Sequence, residues 1–258
     1  MKGATSWKSK DVYKPIGRQN LVLYDGPSML NGERILVIAT AQNGNRKIGA
    51  MLQLWIIPAI SPIAAVKSGA DASVCGDCKM RGDGHGRQRS CYVEWWRAVE
   101  NIWQNWAKGK TRPISPQVFA TAFPRLQLRI GAYGDPVAVP LEVWQWLLCT
   151  AAGWTAYTHQ WRRAPAGFKG WCMASVESLE EQQAAAALGW RTYRARLQGE
   201  PALATEAVCP ASEEGGHKAL CAGCSLCRGL SRPAKHVTIL AHGGGAAYIP
   251  ANRLRSHA

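Results

Sequence analysis

Seven of the nine cysteines fall into two closely spaced sets, and this spacing constrains how the chain can fold. The first set has the pattern C-x2-C-x12-C and comprises Cys75, Cys78 and Cys91. The second set comprises Cys209, Cys221, Cys224 and Cys227. Cysteines two residues apart can direct both sulfurs to one centre, so each set predicts a metal site rather than a disulfide framework.

The first set supplies three thiolates and leaves its fourth ligand open. Four glycines between Cys75 and Cys91 allow the loop to bend back, so that all three sulfurs can reach one centre. With His85 as the fourth ligand, the set would form a structural zinc site. Without it, three cysteines can hold an iron–sulfur cluster that keeps one iron free for another ligand.

The second set ends in C-x2-C-x2-C, which is typical of ferredoxin-type iron–sulfur clusters. Cys209, followed by Pro210, can close this site as its fourth ligand. We favour a second cluster, although zinc also accepts four cysteines. A site closed by four thiolates has no open iron, so a structural or electron-relaying role is expected. Cys149 and Cys172 fall in a predicted helix and strand, where buried, inert thiols are expected.

Composition sets the expected size, partners and location. The chain has 258 residues, of which 47% are hydrophobic, enough for one globular unit built from segments 1–50, 51–200 and 201–258. The formal charge of +14 and the pI of about 9.6 favour a polyanion such as DNA or RNA as partner. The odd cysteine count, without a secretory apolar segment after Met1, favours the reducing cytoplasm. No apolar run approaches the roughly 20 residues that a membrane span needs.

The first half of the chain predicts a basic arm, a β meander and one amphipathic helix. Residues 1–20 are polar and basic, and three short apolar runs follow at 21–24, 35–40 and 51–57, separated by turn residues. Ser61 and Pro62 predict a short helix that ends near Gly69. From Val93 to Trp106, apolar residues recur at intervals of three and four residues, which predicts a helix with Trp96 on its core-facing side. Residues 111–116 are interpreted as a linker.

The second half alternates between strands and helices. Strands are predicted at 126–131, 154–158, 171–176, 191–195 and 237–241, and helices at 140–150 and from Ser178 to Gly189. Such alternation is typical of parallel strands whose carboxyl ends meet at one site. Polar residues follow these predicted strands: Gly134, Asp135, His159, Arg162, Arg163, Ser175, Glu177, Arg194, Arg196 and His242. We therefore predict a site at this edge, with Asp135, His159, Arg162 and Glu177 as its catalytic residues.

Several motifs in this order resemble a known superfamily. They are Cys91-Tyr92 between a first strand and a first helix, Gly134-Asp135 with Val139-Pro140, Tyr157-Thr158 with Arg162, Ala174-Ser175-Val176-Glu177, and the cysteine-rich tail from Cys209. The sequence from about Leu52 to Leu240 resembles the radical S-adenosylmethionine (radical SAM) superfamily, most closely phage-encoded radical-SAM-like iron–sulfur proteins of unknown function.

This resemblance implies an α/β fold: a partial (β/α) barrel with an N-terminal β meander and a C-terminal cysteine-rich segment. It implies that Cys75, Cys78 and Cys91 hold a four-iron cluster whose free iron binds S-adenosylmethionine, and it assigns Gly134, Asp135 and Ser175 to cofactor binding. The loop departs from the superfamily's usual C-x3-C-x2-C spacing.

Two functions follow from these observations. The first is an iron–sulfur, radical-SAM-like enzyme that acts on nucleic acid or nucleotides, with arginines 162, 163, 194 and 196 binding phosphate and Trp161 stacking on a base. The second is a non-catalytic nucleic-acid-binding protein whose cysteine sets hold structural zinc or iron–sulfur sites.

Overall fold

The structure is a computed structural model that describes residues 19–41 and 46–254. The basic residues of the expected N-terminal arm and the Asn43-Gly44-Asn45 turn lie outside the described residues. The strands, β1 to β11 in chain order, are Leu21–Pro27, Arg34–Thr40, Leu52–Pro58, Arg112–Pro113, Gln127–Ile130, Gly153–Thr155, Tyr157–Thr158, Met173–Val176, Thr192–Arg196, Glu206–Val208 and His236–Leu240. The α-helices, α1 to α8, are Pro62–Ser68, Ala72–Cys75, Glu100–Ala107, Pro116–Ala122, Leu141–Thr150, Leu179–Ala187, Cys221–Cys224 and Ile249–Arg253.

The expected β meander is confirmed and forms the apolar foundation of the first sheet. Strands β1, β2 and β3 pair antiparallel, and Ile38 of β2 lies opposite Trp55 of β3. All seven residues of β3 are buried. A strand buried on both faces reads as a continuous apolar run, which is why Leu52–Pro58 lacks polar alternation.

The remaining strands are mainly parallel and make this an α/β protein. The first sheet has the order β4-β1-β2-β3-β5-β6, and β3, β5 and β6 are parallel. The second has the order β10-β11-β9-β8-β7, with every pair parallel. Only Ala156 separates β6 from β7, and its carbonyl accepts a hydrogen bond of 3.0 Å from the N–H of Met173. The chain therefore passes directly from one sheet into the other.

The predicted helix boundaries hold where capping residues define them. The Ser61 hydroxyl accepts a hydrogen bond from the N–H of Ala64, and Gly69 follows α1 with a left-handed φ of 85°. The Ser178 hydroxyl likewise accepts from the N–H of Glu181 at the start of α6. The capping hydrogen bonds join residues that are close in the sequence, so the sequence alone was enough to predict these helix boundaries.

The expected single helix after Val93 is wrong in its start and in one face. Residues Trp95–Val99 form a π-helical turn, and α3 begins only at Glu100. The wider turn shifts the register of the side chains, and Trp96 is 50% exposed instead of buried. The expected linker at 111–116 is also wrong, because Arg112 and Pro113 pair with β1 and Ser115 caps α4.

Two arginines that were expected at an exposed phosphate site are instead part of the second sheet's buried polar network. Arg194 is 3% exposed and donates to both carboxylate oxygens of Glu206, at 2.7 and 2.6 Å. Arg196 is also 3% exposed and pairs with Glu214 and the Thr238 hydroxyl. Their charges are neutralised within the protein, so the expectation that they bind phosphate is wrong.

No helix in the described part of the chain is long and apolar enough to cross a membrane.

The buried ion pair of the second sheet should matter far more than an exposed one. Glu206→Gln should lower the free energy of unfolding by about 3–5 kcal/mol, because Arg194 would keep a buried charge without its principal partner. Asp25→Asn, which removes the exposed partner of Arg34, should cost about 0–1 kcal/mol. Urea unfolding of both variants measures the difference, and equal losses would show that burial does not set the value of these pairs.

Candidate functional site

All seven cysteines of the two sets line one cavity of about 430 Å³. The two sets are separated by more than a hundred residues of sequence, so only the fold brings them together. The cavity is also lined by polar residues at or after the ends of parallel strands: Gly134, Asp135, His159, Ser175 and His242. Parallel strands direct their carboxyl ends to one edge, and this edge carries the cavity.

The first cysteine loop folds back through backbone hydrogen bonds to Met80. The N–H groups of Ser90 and Cys91 both donate to the Met80 carbonyl, at 3.1 and 3.2 Å, which returns Cys91 to the neighbourhood of Cys78. Gly82 makes this return possible, because its φ is 69° and a Cβ there would lie 2.1 Å from the carbonyl oxygen of Arg87. The fold-back inferred from the glycine content is therefore present.

A buried carboxylate holds both ends of this loop. Asp71 is fully buried and forms ion pairs with Arg81 at 2.7 Å and Arg89 at 2.8 Å. Arg81 also donates to the carbonyls of Gly69 and Gly76, each at 2.9 Å. The two arginines come from the loop and the carboxylate from the residue just before α2, so the network ties the loop to the helix that carries Cys75.

Burial disfavours the thiolate form of two cysteines of the first set, Cys75 and Cys91. Burial raises the pKa of Cys75 well above its usual value, and Asp71 and Cys78 raise it further. Burial also raises the pKa of Cys91, although the Val93 N–H and Arg89 oppose the shift. A metal must therefore displace protons when it binds these sulfurs, and a chelated thiolate would relieve the cost of burying them.

Asp135, His159 and Glu177 form a continuous hydrogen-bonded chain beside the first cysteine set. One Asp135 oxygen accepts from the Thr158 hydroxyl at 2.7 Å, and the other accepts from the His159 N–H at 2.8 Å. The His159 Nε2 lies 2.9 Å from a Glu177 oxygen. Burial alone would lower the pKa of His159, but Cys78 and Glu177 raise it well above its usual value. His159 therefore lies between Glu177 and Cys78, and both of these neighbours favour the protonated form of its imidazole.

Asp135 is occupied by the protein to a greater extent than its motif suggested. Besides the two contacts above, its carboxylate accepts the N–H of Val137 at 3.0 Å, which caps the turn that follows. Burial raises the pKa of Asp135, while these donors and His159 oppose the shift. Three of about four acceptor positions of the carboxylate are thereby used. Its first task is to hold His159 in place.

Gly134 is required where it stands. Its φ is 79°, and a Cβ there would lie 2.4 Å from the Ile56 carbonyl oxygen. Ser175 is buried on β8 and faces the cavity. Both residues therefore lie at the wall of the cavity.

Arg162 and Arg163 lie at the surface beside the site and do not line the cavity. The side chain of Arg162 is 56% exposed, lies 3.4 Å from Glu181 and stacks at 3.9 Å over the ring of Trp161. Arg163 donates to the side-chain oxygen of Gln160 and lies 3.4 Å from Asp77. Trp161 itself is 3% exposed, so the expectation that it stacks on a nucleic-acid base is wrong.

The second cysteine set is built into the strand region. The Cys227 carbonyl accepts the N–H of Ala156 at 3.2 Å, and the Cys209 N–H donates to Thr238 at 2.8 Å. Helix α7 carries Cys221 and Cys224. Burial raises the pKa of Cys221 to about 11, and the Cys209 thiol adds to the shift. Within residues 19–41 and 46–254, no three His, Cys, Asp or Glu side chains are arranged to hold a single metal ion.

Three further expectations concern side chains away from the two sets. His85, considered as a fourth ligand, packs against Gly69 and is not among the residues that line the cavity. Cys149 is exposed, so the expectation of a buried thiol is wrong, because it falls on the outer face of α5. Cys172 is fully buried, as expected.

Sequence reasoning missed the aromatic and cationic lining of the cavity. Tyr157 and Tyr193 have ring centroids 4.7 Å apart between the strands of the second sheet. Arg129 is buried on β5 and reaches the Tyr92 hydroxyl at 2.5 Å. A charged residue within the apolar run Leu126–Ile130 was the available signal for Arg129. The tyrosines had none, since tyrosine is ordinary in strands.

Tyr133 tests whether the first set fits a bound group. It is 2% exposed and lines the cavity, and its hydroxyl has no hydrogen-bond partner among the residues that the structure describes. Cys75 and Cys91 line the same cavity, and the N–H of Asp135, two residues after Tyr133, donates at 2.6 Å to the carbonyl of Val74, the residue before Cys75. A buried polar atom of this kind needs a partner, and a group held by those thiols would supply one. The residues therefore fit a bound centre.

Tyr133→Phe should have opposite effects with and without that centre. In metal-free protein it should leave the free energy of unfolding unchanged or raise it, because an unpartnered buried hydroxyl costs about 1–3 kcal/mol. In metal-loaded protein the same change should cost about 1 kcal/mol. Urea unfolding in both states measures this.

The matched control for that experiment is Tyr24→Phe. The Tyr24 hydroxyl donates to the Pro27 carbonyl at 2.7 Å, so its loss should destabilise even the metal-free protein. If Tyr133→Phe and Tyr24→Phe cost the same in metal-free protein, the Tyr133 hydroxyl already has a partner in the chain.

Comparison of the chain with protein-family models, with curated proteins and with solved structures gives no match. The geometry of the residues is therefore the basis for assigning a function.

Proposed function

We propose that this chain is an iron–sulfur protein of the radical SAM type that acts on a nucleic acid or nucleotide. The observation that carries the proposal is the single cavity shared by the three-cysteine and four-cysteine sets. A centre with an open coordination position beside a closed centre is suited to a reaction that needs both a binding site and an electron relay. Two purely structural sites would not need a common cavity.

The fold is compatible with a partial barrel. The parallel strands run in the spatial order β3-β5-β6, continue through Ala156 into β7, and proceed as β8-β9-β11-β10. The first cysteine set follows β3, the first strand of this series, and Gly134 and Asp135 follow the second. This order supports assigning the two sheets to one open (β/α) barrel of the radical SAM type with the cavity at its carboxyl edge.

The first set would hold a four-iron cluster through Cys75, Cys78 and Cys91. When bound, such a cluster supplies one iron that is open to an external ligand, here S-adenosylmethionine. The chain's own residues then have defined tasks. Tyr133 presents its hydroxyl to the centre, and Gly134 keeps the wall free of a side chain at the point where the backbone turns.

His159 and Glu177 are the residues best suited to proton handling at this site. The imidazole lies between the Cys78 thiol and the Glu177 carboxylate, and Asp135 fixes its backbone. A histidine held between two acids can keep or release a proton at its ring nitrogen as the charge of the neighbouring centre changes. Arg162, outside the cavity, belongs instead to the binding surface.

Metal analysis separates the two cysteine sets. Protein purified without oxygen should contain iron and sulfide, and Cys91→Ala should lose about half of the iron, that of one cluster. Cys224→Ala should lose the other half and also lower the melting temperature, because a closed centre is coupled to folding. Cys149→Ala is the control and should keep all of its iron. Zinc without iron in the parent protein would contradict the proposal and favour a non-catalytic, structural role.

The same variants test the cofactor. S-adenosylmethionine should change the electron paramagnetic resonance spectrum of reduced parent protein and of Cys224→Ala, but not that of Cys91→Ala, which lacks the open iron. An unchanged parent spectrum at saturating cofactor would rule out binding at that iron.

A nucleic-acid partner is supported by surface charge next to the cavity. The chain carries 31 basic and 17 acidic residues. Arg162 and Arg163 are both about half exposed, and Arg162 is held flat by its stacking on Trp161. A planar guanidinium fixed in this way can bind phosphate oxygens with little further loss of entropy.

Salt dependence tests this surface. A plot of the logarithm of the association constant for DNA or RNA against the logarithm of the salt concentration should have a negative slope of about 0.7–0.9 per phosphate contacted. The double variant with Arg162→Ala and Arg163→Ala should make this slope shallower by more than one unit. Arg34→Ala, an exposed residue at the start of β2 that does not line the cavity, is the control. A double variant with the parent's affinity and slope would place the binding surface elsewhere and favour a small-molecule or protein substrate.

A further inference from the structure

Arg129 is a buried cation whose partners in the protein are neutral. It is 9% exposed and faces the cavity from β5. Its guanidinium donates to the Gln53 side-chain oxygen at 3.0 Å and to the Tyr92 hydroxyl at 2.5 Å. Among residues 19–41 and 47–254, no carboxylate lies within ion-pair distance of it.

The other buried arginines show how unusual this is. Arg89, Arg194 and Arg196 each have a carboxylate partner. Arg191 has none, but three backbone carbonyls accept its hydrogen bonds. Arg129 has neither a carboxylate partner nor a set of backbone carbonyls among the described residues. A charge removed from water without an opposite charge is costly, so its counter-charge should come from a group in the cavity.

The second cysteine set lies beside Arg129 in the fold and identifies that group. Arg129 of β5 is the register partner of Thr155 of β6, and the N–H of the next residue, Ala156, donates to the Cys227 carbonyl at 3.2 Å. Arg129, Cys221 and Cys227 line the same cavity. Four thiolates around a zinc ion or an iron–sulfur cluster leave a negatively charged centre. The first set is different, because the carboxylate of Asp71 lies next to Cys75 and the cations there are already paired with it.

We infer that Arg129 is the electrostatic partner of the metal centre at the second cysteine set and raises its reduction potential. The inference rests on the proposed iron–sulfur occupancy of that set. A fixed cation stabilises the reduced, more negative form of a cluster, and outer-shell charge and hydrogen bonding are among the protein's means of setting its potential. Arg129 is a positioning residue in this role and need not touch substrate.

Redox titration of the full chain, followed by electron paramagnetic resonance, tests the inference. Arg129→Met removes the charge with little change in volume and should shift the midpoint potential of the second cluster to a more negative value, leaving that of the first cluster unchanged. Its iron affinity at the second set should fall about tenfold in competition with a chelator, as is typical when an outer-shell partner is lost. Arg129→Lys should keep the parent's potential closely, because the charge is retained.

Arg34→Gln removes an exposed positive charge far from the cavity and should change neither quantity. The titration can be repeated in a Cys91→Ala background, where the signal of the first cluster is absent. A second cluster present in the parent, with the same potential and iron affinity in Arg129→Met, overturns the inference alone and makes Arg129 the partner of a separate anionic ligand. A parent without iron at the second set overturns the proposed function as well.

Discussion

The ion pairs of Asp71 with Arg81 and Arg89 are the interaction on which the first cysteine loop depends. A fully buried carboxylate is unfavourable unless it is paired and hydrogen-bonded, and here two guanidinium groups satisfy both of its oxygens. Because both arginines belong to the loop, the loop cannot move away from the residues before α2 without leaving a buried charge unpaired. The ion pairs of Asp71 with Arg81 and Arg89 thus help to fix the position of Cys91, although they do not involve its sulfur.

The site separates residues that hold its shape from residues that are open to chemistry. Asp135 is largely occupied by three protein donors, and Arg194 and Arg196 are neutralised by glutamates. Tyr133 and Arg129 are the opposite case. Among the described residues, the buried Tyr133 hydroxyl has no hydrogen-bond partner, and the buried Arg129 charge donates to neutral groups and has no carboxylate partner. Such groups point to something else that binds in the cavity. These two residues therefore say more about the cavity's occupants than the Gly134-Asp135 motif does.

Sequence patterns predicted the elements whose signals are local and missed those set by tertiary contacts. The meander, the caps at Ser61 and Ser178 and the alternation of strands and helices follow from neighbouring residues. The π-turn at Trp95–Val99 does not. Apolar residues at three- and four-residue intervals predict an α-helix, and the pattern does not show where one turn is wider by a residue. The cysteine spacing predicted two sets, but nothing in it indicates that both line one cavity. The pairing of Arg194 with Glu206 could not be predicted from the sequence either, because an arginine is expected at the surface unless its buried partner is known.

The two cysteine sets differ in the charges that surround them, and this difference fits the different roles proposed for them. The first set has a carboxylate close to Cys75 and a histidine that can change its protonation, so its surroundings can respond when charge changes there. The second set faces Arg129, a cation that has no carboxylate within ion-pair distance among the residues that the structure describes. A fixed positive field favours holding an added electron, whereas a field that can be adjusted favours reaction. Under the proposed function, these surroundings suit reaction at Cys75, Cys78 and Cys91 and electron storage at the four-cysteine set.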